Sequence, residues 1–310
     1  MKGNSAAAAV FCGNFIRVDG VNPLGAKEWN TLCGVLSGRG LEPLSLLDFS
    51  DKDFKSVAEG ELFERLVYLA MNKDKVFSKL AEYESKGIKA LTVYDGEYPE
   101  KLLKTLGSGS PVVLFSAGDT QISNGEFAGY VGSRNAEKDD LDFARFAVGR
   151  TVERGFGVVS GGAHGVDNAS EDECLNLGGK VIEFPSDGML KKLKNQKIAA
   201  AVEGGKMLIL SLAPPEAGFN LGVAMMRNRF IYAQSSGTVV IRADYNKGGT
   251  WSGATDNLKH GWCKQLCRKN SKATGNCALI EMGAIPIDYG FDGDISSLEK
   301  PEKPVQLSLF

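Results

Sequence analysis

The sequence predicts an α/β fold: a doubly wound, mostly parallel sheet with a small N-terminal helical domain. Three observations carry this. From Pro111 onward, short apolar runs alternate with amphipathic segments, the pattern of a parallel sheet covered by helices. Three of those runs end in glycine-rich or short polar turns that each lead into a helix. Before residue 88, apolar residues instead recur at intervals of three and four.

The helical spacing is carried by Trp29, Leu32, Val35 and Leu36, then by Leu62, Leu66, Leu69 and Ala70, then by Val76, Phe77 and Leu80. Residues 1–87 are expected to form the helical domain, with Gly87 ending its last helix. A strand over Ile88–Tyr94 and a turn at Asp95-Gly96 lead into the main domain, residues 88–295. Further strands are expected at Val112–Phe115, Phe127–Val131, Gly157–Ser160, Lys180–Phe184, Met207–Leu210, Thr238–Arg242 and Leu279–Glu281. The clearest helix opens near Asp140, presents Leu141, Ala144, Phe146, Ala147, Val148 and Val152 on one side, and is closed by Gly155. Strand–helix–strand order implies right-handed crossovers, and ligands of such sheets bind beyond the carboxyl ends of the strands.

A chain of 310 residues with 43% hydrophobic residues is long enough for one large core and a smaller second one. The formal net charge is only -2, so a nucleic-acid partner would have to be held by a local basic patch. The apolar run Ala6–Cys12 after Lys2 is too short for a signal-peptide core, and a cytoplasmic location is expected. Six irregularly spaced cysteines suit a reducing compartment. His260, Cys263, Cys267 and Cys277 lack the tight ligand pairs of structural zinc sites, so no metal and no cofactor is expected.

Chemistry concentrates in the three turns. After Val131 stands Gly132-Ser133-Arg134-Asn135. After Val159 stands Ser160-Gly161-Gly162-Ala163-His164-Gly165-Val166-Asp167, and after the strand at Thr238 stands Lys247-Gly248-Gly249-Thr250-Trp251-Ser252-Gly253. Glycines let backbone N–H groups approach an anion, and the following helix N-terminus adds partial positive charge. Ser133, Ser160, Thr250 and Ser252 add hydroxyl donors, so the three loops together read as one phosphate pocket. Arg227-Asn228-Arg229 sits in a helical pattern, where two guanidiniums one residue apart diverge and one can face that pocket. The run Lys191, Lys192, Lys194 and Lys197 reads as a solvated face.

The same motifs, in this order, resemble the DprA/Smf DNA-processing proteins, a Rossmann-like family related in fold to the LOG phosphoribohydrolases. The resemblance extends from about Leu91 to Ile287 and includes Tyr94-Asp95-Gly96-Glu97-Tyr98-Pro99. It implies single-stranded DNA binding without strong sequence preference, a homodimer, and handover of the strand to the RecA recombinase. On that pattern Gly132, Ser133, Arg134, Ser160, Gly161, Gly162, Gly165, Arg227, Asn228, Lys247, Gly248, Gly249, Thr250 and Ser252 hold phosphates. The chain departs from the family at Asn168-Ala169-Ser170, where a His is usual, at Leu212 for an acid, and at Arg242 for a Glu. The winged-helix domain that often follows in the family is not expected here.

Residues 296–310 read as a solvated linker ending in Gln306-Leu307-Ser308-Leu309-Phe310. This pentapeptide is similar to the one by which bacterial proteins dock on the replicative sliding clamp, with Leu309 and Phe310 entering an apolar groove and Gln306 supplying hydrogen bonds. No enzymatic activity is expected. A nicotinamide site would need Gly-x-Gly-x-x-Gly, which Gly132-Ser133-Arg134-Asn135-Ala136-Glu137 does not supply. Ser160, His164 and Asp167 crowd one short loop too closely for a hydrolytic triad. The alternative is a sensor or hydrolase of a small phosphorylated nucleotide with a LOG-like pocket, although only Asp256 supplies an acid after the third turn.

Overall fold

The computed structural model describes residues 1–15 and 21–298. The N-terminal part is helical: α1 (Asn4–Cys12), α2 (Ala26–Ser37), α3 (Asp51–Val57), α4 (Gly60–Met71) and α5 (Lys73–Glu84). There follow β1 (Ile88–Thr92), α6 (Glu100–Leu106), β2 (Val113–Ala117), β3 (Phe127–Val131), α7 (Lys138–Glu153), β4 (Gly157–Ser160), α8 (Val166–Asn176) and β5 (Val181–Glu183). The chain continues through α9 (Met189–Lys192), α10 (Gln196–Glu203), β6 (Met207–Ser211), α11 (Leu221–Gln234), β7 (Gly237–Val240), α12 (Gly248–His260), β8 (Lys264–Arg268), α13 (Thr274–Glu281) and β9 (Ile285–Ile287).

The strands form one nine-stranded sheet in the order β1-β2-β6-β5-β4-β3-β7-β8-β9. Pairing is antiparallel between β1 and β2 and between β2 and β6, and parallel in every other pair. The sheet is thus α/β, doubly wound and mostly parallel, as the sequence predicts. Strands β2 to β7 are buried along their lengths because helices cover both faces, which is why they read as continuous apolar runs.

Two elements correct the sequence reading. Leu279–Glu281 is the last turn of α13 and not a strand, and the strands lie on either side of it, at β8 and β9. A three-residue apolar run carries no period, and here the backbone closes helically, with Met282 N–H donating to Ala278 C=O. β8 escapes notice because its polar residues are buried: Gln265 accepts from Asn257 Nδ2 at 3.0 Å and Arg268 pairs with Asp140. The run Ala6–Cys12 lies in α1, buried on every side from Ser5 to Phe11, as an all-apolar helix must be.

The helical segment packs against the β1/β2 end of the sheet. Phe15 and Tyr83 each meet the Phe115 ring edge-on, at centroid distances of 5.2 and 5.7 Å. Phe11 stacks on Trp29 beneath them at 6.4 Å. Among the described residues no helix is long and apolar enough to cross a membrane.

Candidate functional site

β3 leads through α7 to β4 on one side, whereas β7 leads through α12 to β8 on the other. Chains leaving adjacent parallel strands in opposite directions open a crevice beyond their carboxyl ends. The two departing loops are stitched together there: Ile241 N–H donates to Val131 C=O and Ser133 N–H to Arg242 C=O, both at 3.0 Å. Asn246 and Gly248, at φ 55° and 76°, turn the second loop sharply into α12. The resulting cleft encloses about 310 Å³.

Nine of the sequence-predicted residues line this cleft: Gly132, Ser133 and Arg134 from the β3 loop, Arg227 and Asn228 from α11, and Lys247, Gly248, Gly249 and Thr250 at the start of α12. Arg134 and Lys247 are exposed. The Arg134 guanidinium lies 5.3 Å from the centre of the Phe219 ring. Phe219 is held there because the β5 and β6 loops pair, Gly188 N–H donating to Ala217 C=O and Asn220 N–H to Ser186 C=O. Asn228 does not point its amide outward; Nδ2 donates to Gly249 C=O at 3.0 Å and fixes the mouth of α12. Ser252 lies further along α12 and does not line the cleft.

The second glycine loop is turned inward. Ser160 is fully buried and its hydroxyl donates to Tyr130 C=O at 2.7 Å. Gly162 N–H donates to Glu171 Oε1 at 2.9 Å, and Gly162 C=O accepts from Lys192 Nζ at 3.0 Å. Gly165, at φ 92°, lies so close to the β3 loop that a Cβ would stand 2.6 Å from Ser133 C=O. A Cβ on Gly161 would fall 1.2 Å from Arg227 Nη1, so the absent side chain is the seat of that guanidinium. Of the two neighbouring arginines, Arg227 therefore faces the cleft, while Arg229 packs 5.0 Å from the Phe230 ring centre.

Beneath the loop lies a buried ionic group that sequence reading did not assemble, because its members come from separate elements. Lys192 Nζ stands 2.6 Å from Glu183 Oε1, so part of the basic run is not a solvated face. Burial pushes the Glu171 and Glu183 carboxyls up, Glu183 adding to the effect on Glu171 and Lys192 opposing it on both. Arg227 Nη2 lies 3.7 Å from Asp167 Oδ2. Burial also pushes the Asp167 carboxyl up, against the pull of Arg227. Nε and Nη1 of Arg227 have no hydrogen-bond partner among the described residues.

Other expected or excluded chemistries can be read from the same geometry. His164 Nδ1 donates to Arg134 C=O at 3.1 Å, Ser160 is bonded to Tyr130 and Asp167 faces Arg227, so these three do not align as a relay. His260 stacks on Trp262, and among the described residues no three His, Cys, Asp or Glu side chains converge for a metal. Arg242 is tied to Glu137 and Asp140 at 3.0 and 2.9 Å. Gln306, Leu307, Leu309 and Phe310 lie outside the described residues.

Comparison with known proteins agrees with this architecture. The chain is 29% identical over 232 residues to DNA processing protein DprA of Bacillus subtilis (strain 168), covering 73% of this chain and 76% of that protein. It is 30% identical over 179 residues to Protein Smf of Synechocystis, covering 56% of this chain and 44% of that one. The structure of DNA processing protein A from Streptococcus pneumoniae superposes with a TM-score of 0.72 at 18% identity, over 92% of this chain and 95% of that one. DNA processing protein A from Helicobacter pylori gives 0.55 at 21% identity, over 66% and 92%. Both likenesses are likenesses of fold. The family model for DNA recombination-mediator protein A matches residues 89–292, which contain both strands of the switch point and every cleft-lining residue named above, and the chain belongs to that family.

Proposed function

We propose that this protein binds single-stranded DNA by its phosphates in the β3/β7 cleft, as a non-catalytic mediator of DNA uptake, recombination or repair. The carrying observation is the division of charge around the cleft. Of the two carboxylates that line it among the described residues, Asp167 is paired with Arg227 and only Asp244 is exposed, against the two exposed cations Arg134 and Lys247. Arg134 and Lys247 stand exposed beside the first N–H groups of α12, a 13-residue helix. Two cations and a helix N-terminus at one crevice suit successive phosphates. Phe219 and Tyr245 are 55% and 53% exposed at the rim, suited to stack on bases of any identity. The relative from Helicobacter pylori is described by its single-stranded DNA binding mode, which supports the same reading here.

The test is fluorescence anisotropy of a labelled oligo-dT against wild type and Arg134→Ala/Lys247→Ala at several salt concentrations. Wild type should bind with strong salt dependence. The double variant should lose at least about tenfold in affinity, and its log–log salt slope should be shallower by about 1.4, roughly 0.7 for each phosphate contact removed. A folded wild type that binds a free nucleotide but no dT would favour instead the sensor of a small phosphorylated nucleotide, which a cleft of about 310 Å³ also admits.

Three partners complete the proposal. The protein acts as a homodimer, passes the strand to RecA, and is recruited to the sliding clamp by Gln306, Leu307, Leu309 and Phe310. The clamp should be retained by wild type and lost by Leu309→Ala/Phe310→Ala in a pull-down; equal retention ends that part. Sedimentation of the purified chain and RecA loading on bound dT decide the other two.

A further inference from the structure

We infer that Asp167 is a built-in competitor of DNA for Arg227, and that phosphate binding displaces it with uptake of one proton. The inference rests on the single-stranded DNA reading above. Arg227 and Asp167 are both 6% exposed and both line the cleft. Their closest approach, 3.7 Å between Nη2 and Oδ2, is an ion pair longer than a hydrogen bond. Nε and Nη1 of the same guanidinium have no partner among the described residues. Such buried donors are costly to leave unmade; Nη1 lies against Gly161, while Nη2 stands beside the cleft-lining Asp167. The guanidinium is thus incompletely satisfied in the free protein, and a phosphate oxygen in the cleft competes with Asp167 for Nη2.

The consequence for Asp167 follows from its surroundings. It faces Arg227 and Tyr232 from α11, Arg134 from the β3 loop, Lys192 from α9, and Glu171 one turn further along α8. Its remaining contact is a long one from Ala163 N–H at 3.4 Å. When phosphate takes Arg227, a buried carboxylate keeps a weakened partner and gains a negative neighbour. A carboxylate so placed takes a proton from solvent. Burial already pushes the Asp167 carboxyl upward in the free protein, and a neighbouring phosphate pushes it the same way. The sign is definite: Asp167 holds its proton more tightly in the bound state, so affinity rises as pH falls through the interval between the bound-state value and the lower free-state value. The rise is at most tenfold per pH unit for one proton.

The experiment is anisotropy of labelled oligo-dT on the full chain from pH 5.5 to 8 at fixed ionic strength, with wild type, Asp167→Asn and His164→Asn. His164 is the control because it is exposed and its Nδ1 donates to Arg134 C=O beside the cleft. Wild type and His164→Asn should both bind several-fold more tightly at the acid end. Asp167→Asn should bind more tightly than wild type at pH 8 and vary little with pH. A flat wild-type profile, a slope abolished by His164→Asn, or a slope retained by Asp167→Asn overturns the inference. Should Asp167→Asn fail to fold, titration calorimetry of wild type and His164→Asn in two buffers of different ionisation enthalpy decides, and binding without proton uptake in His164→Asn overturns it. Absence of dT binding at every pH defeats the DNA reading as well, whereas binding without proton linkage defeats this inference alone.

Discussion

Gly161 shows how a residue without a side chain shapes the cleft. Its Cα is the surface on which the Arg227 guanidinium rests, with room for no Cβ. Gly161→Ala should therefore push Arg227 out of its seat, lowering dT affinity about tenfold while removing no charge. The overpacking should cost roughly 1–3 kcal/mol of stability, measured by urea denaturation beside the anisotropy titration. Wild-type affinity in a folded Gly161→Ala protein would mean that the position of Arg227 is immaterial. A glycine in a β–α turn is legible in the sequence, but not which neighbour fills the space it leaves. The same holds for Ser160, whose hydroxyl reads as a phosphate donor until the fold brings Tyr130 C=O within 2.7 Å.

At the scale of elements, the cleft depends on how α7 is anchored. Asp140 in its first turn is 1% exposed. One oxygen accepts from Arg268 Nη1 at 2.6 Å and Asn270 Nδ2 at 3.2 Å; the other accepts from Arg242 Nη1 at 2.9 Å and Glu137 N–H at 3.0 Å. One carboxylate thus joins the start of α7 to the ends of β7 and β8. Asp140→Ala leaves two arginines without their buried partner and should cost roughly 3–5 kcal/mol, read as a lower urea midpoint; an unchanged midpoint would show that the anchor contributes little. The helix itself was legible from its apolar face and from Gly155. Its anchor was not, since Asp140, Arg242 and Arg268 are more than a hundred residues apart in part, and a buried ion pair resembles surface charge in one dimension. β8 was missed for the same reason, through Gln265 and Arg268.

For the whole molecule, the N-terminal helices and the sheet meet through Phe15, Tyr83 and Phe115. α1 shows what that packing requires, because a helix apolar on every side is stable only with neighbours on every side. The sequence by itself determined the α/β class, six of the seven strands expected after the first, and the three turns that lead into helices. It did so because period, glycine turns and helix closures are local properties of the chain. The tertiary structure alone decided that the β3 and β7 turns share a cleft with α11, to which the β4 turn adds Ala163 and Asp167 while its Ser160 and Gly162 are bonded inward. It also decided which charges remain free: Arg134 and Lys247 are exposed, whereas Arg227, Lys192 and Arg242 are held by acids. The physical reason is that a charge is available to a ligand only after its partners across the fold have been counted, and those partners lie far away in the sequence.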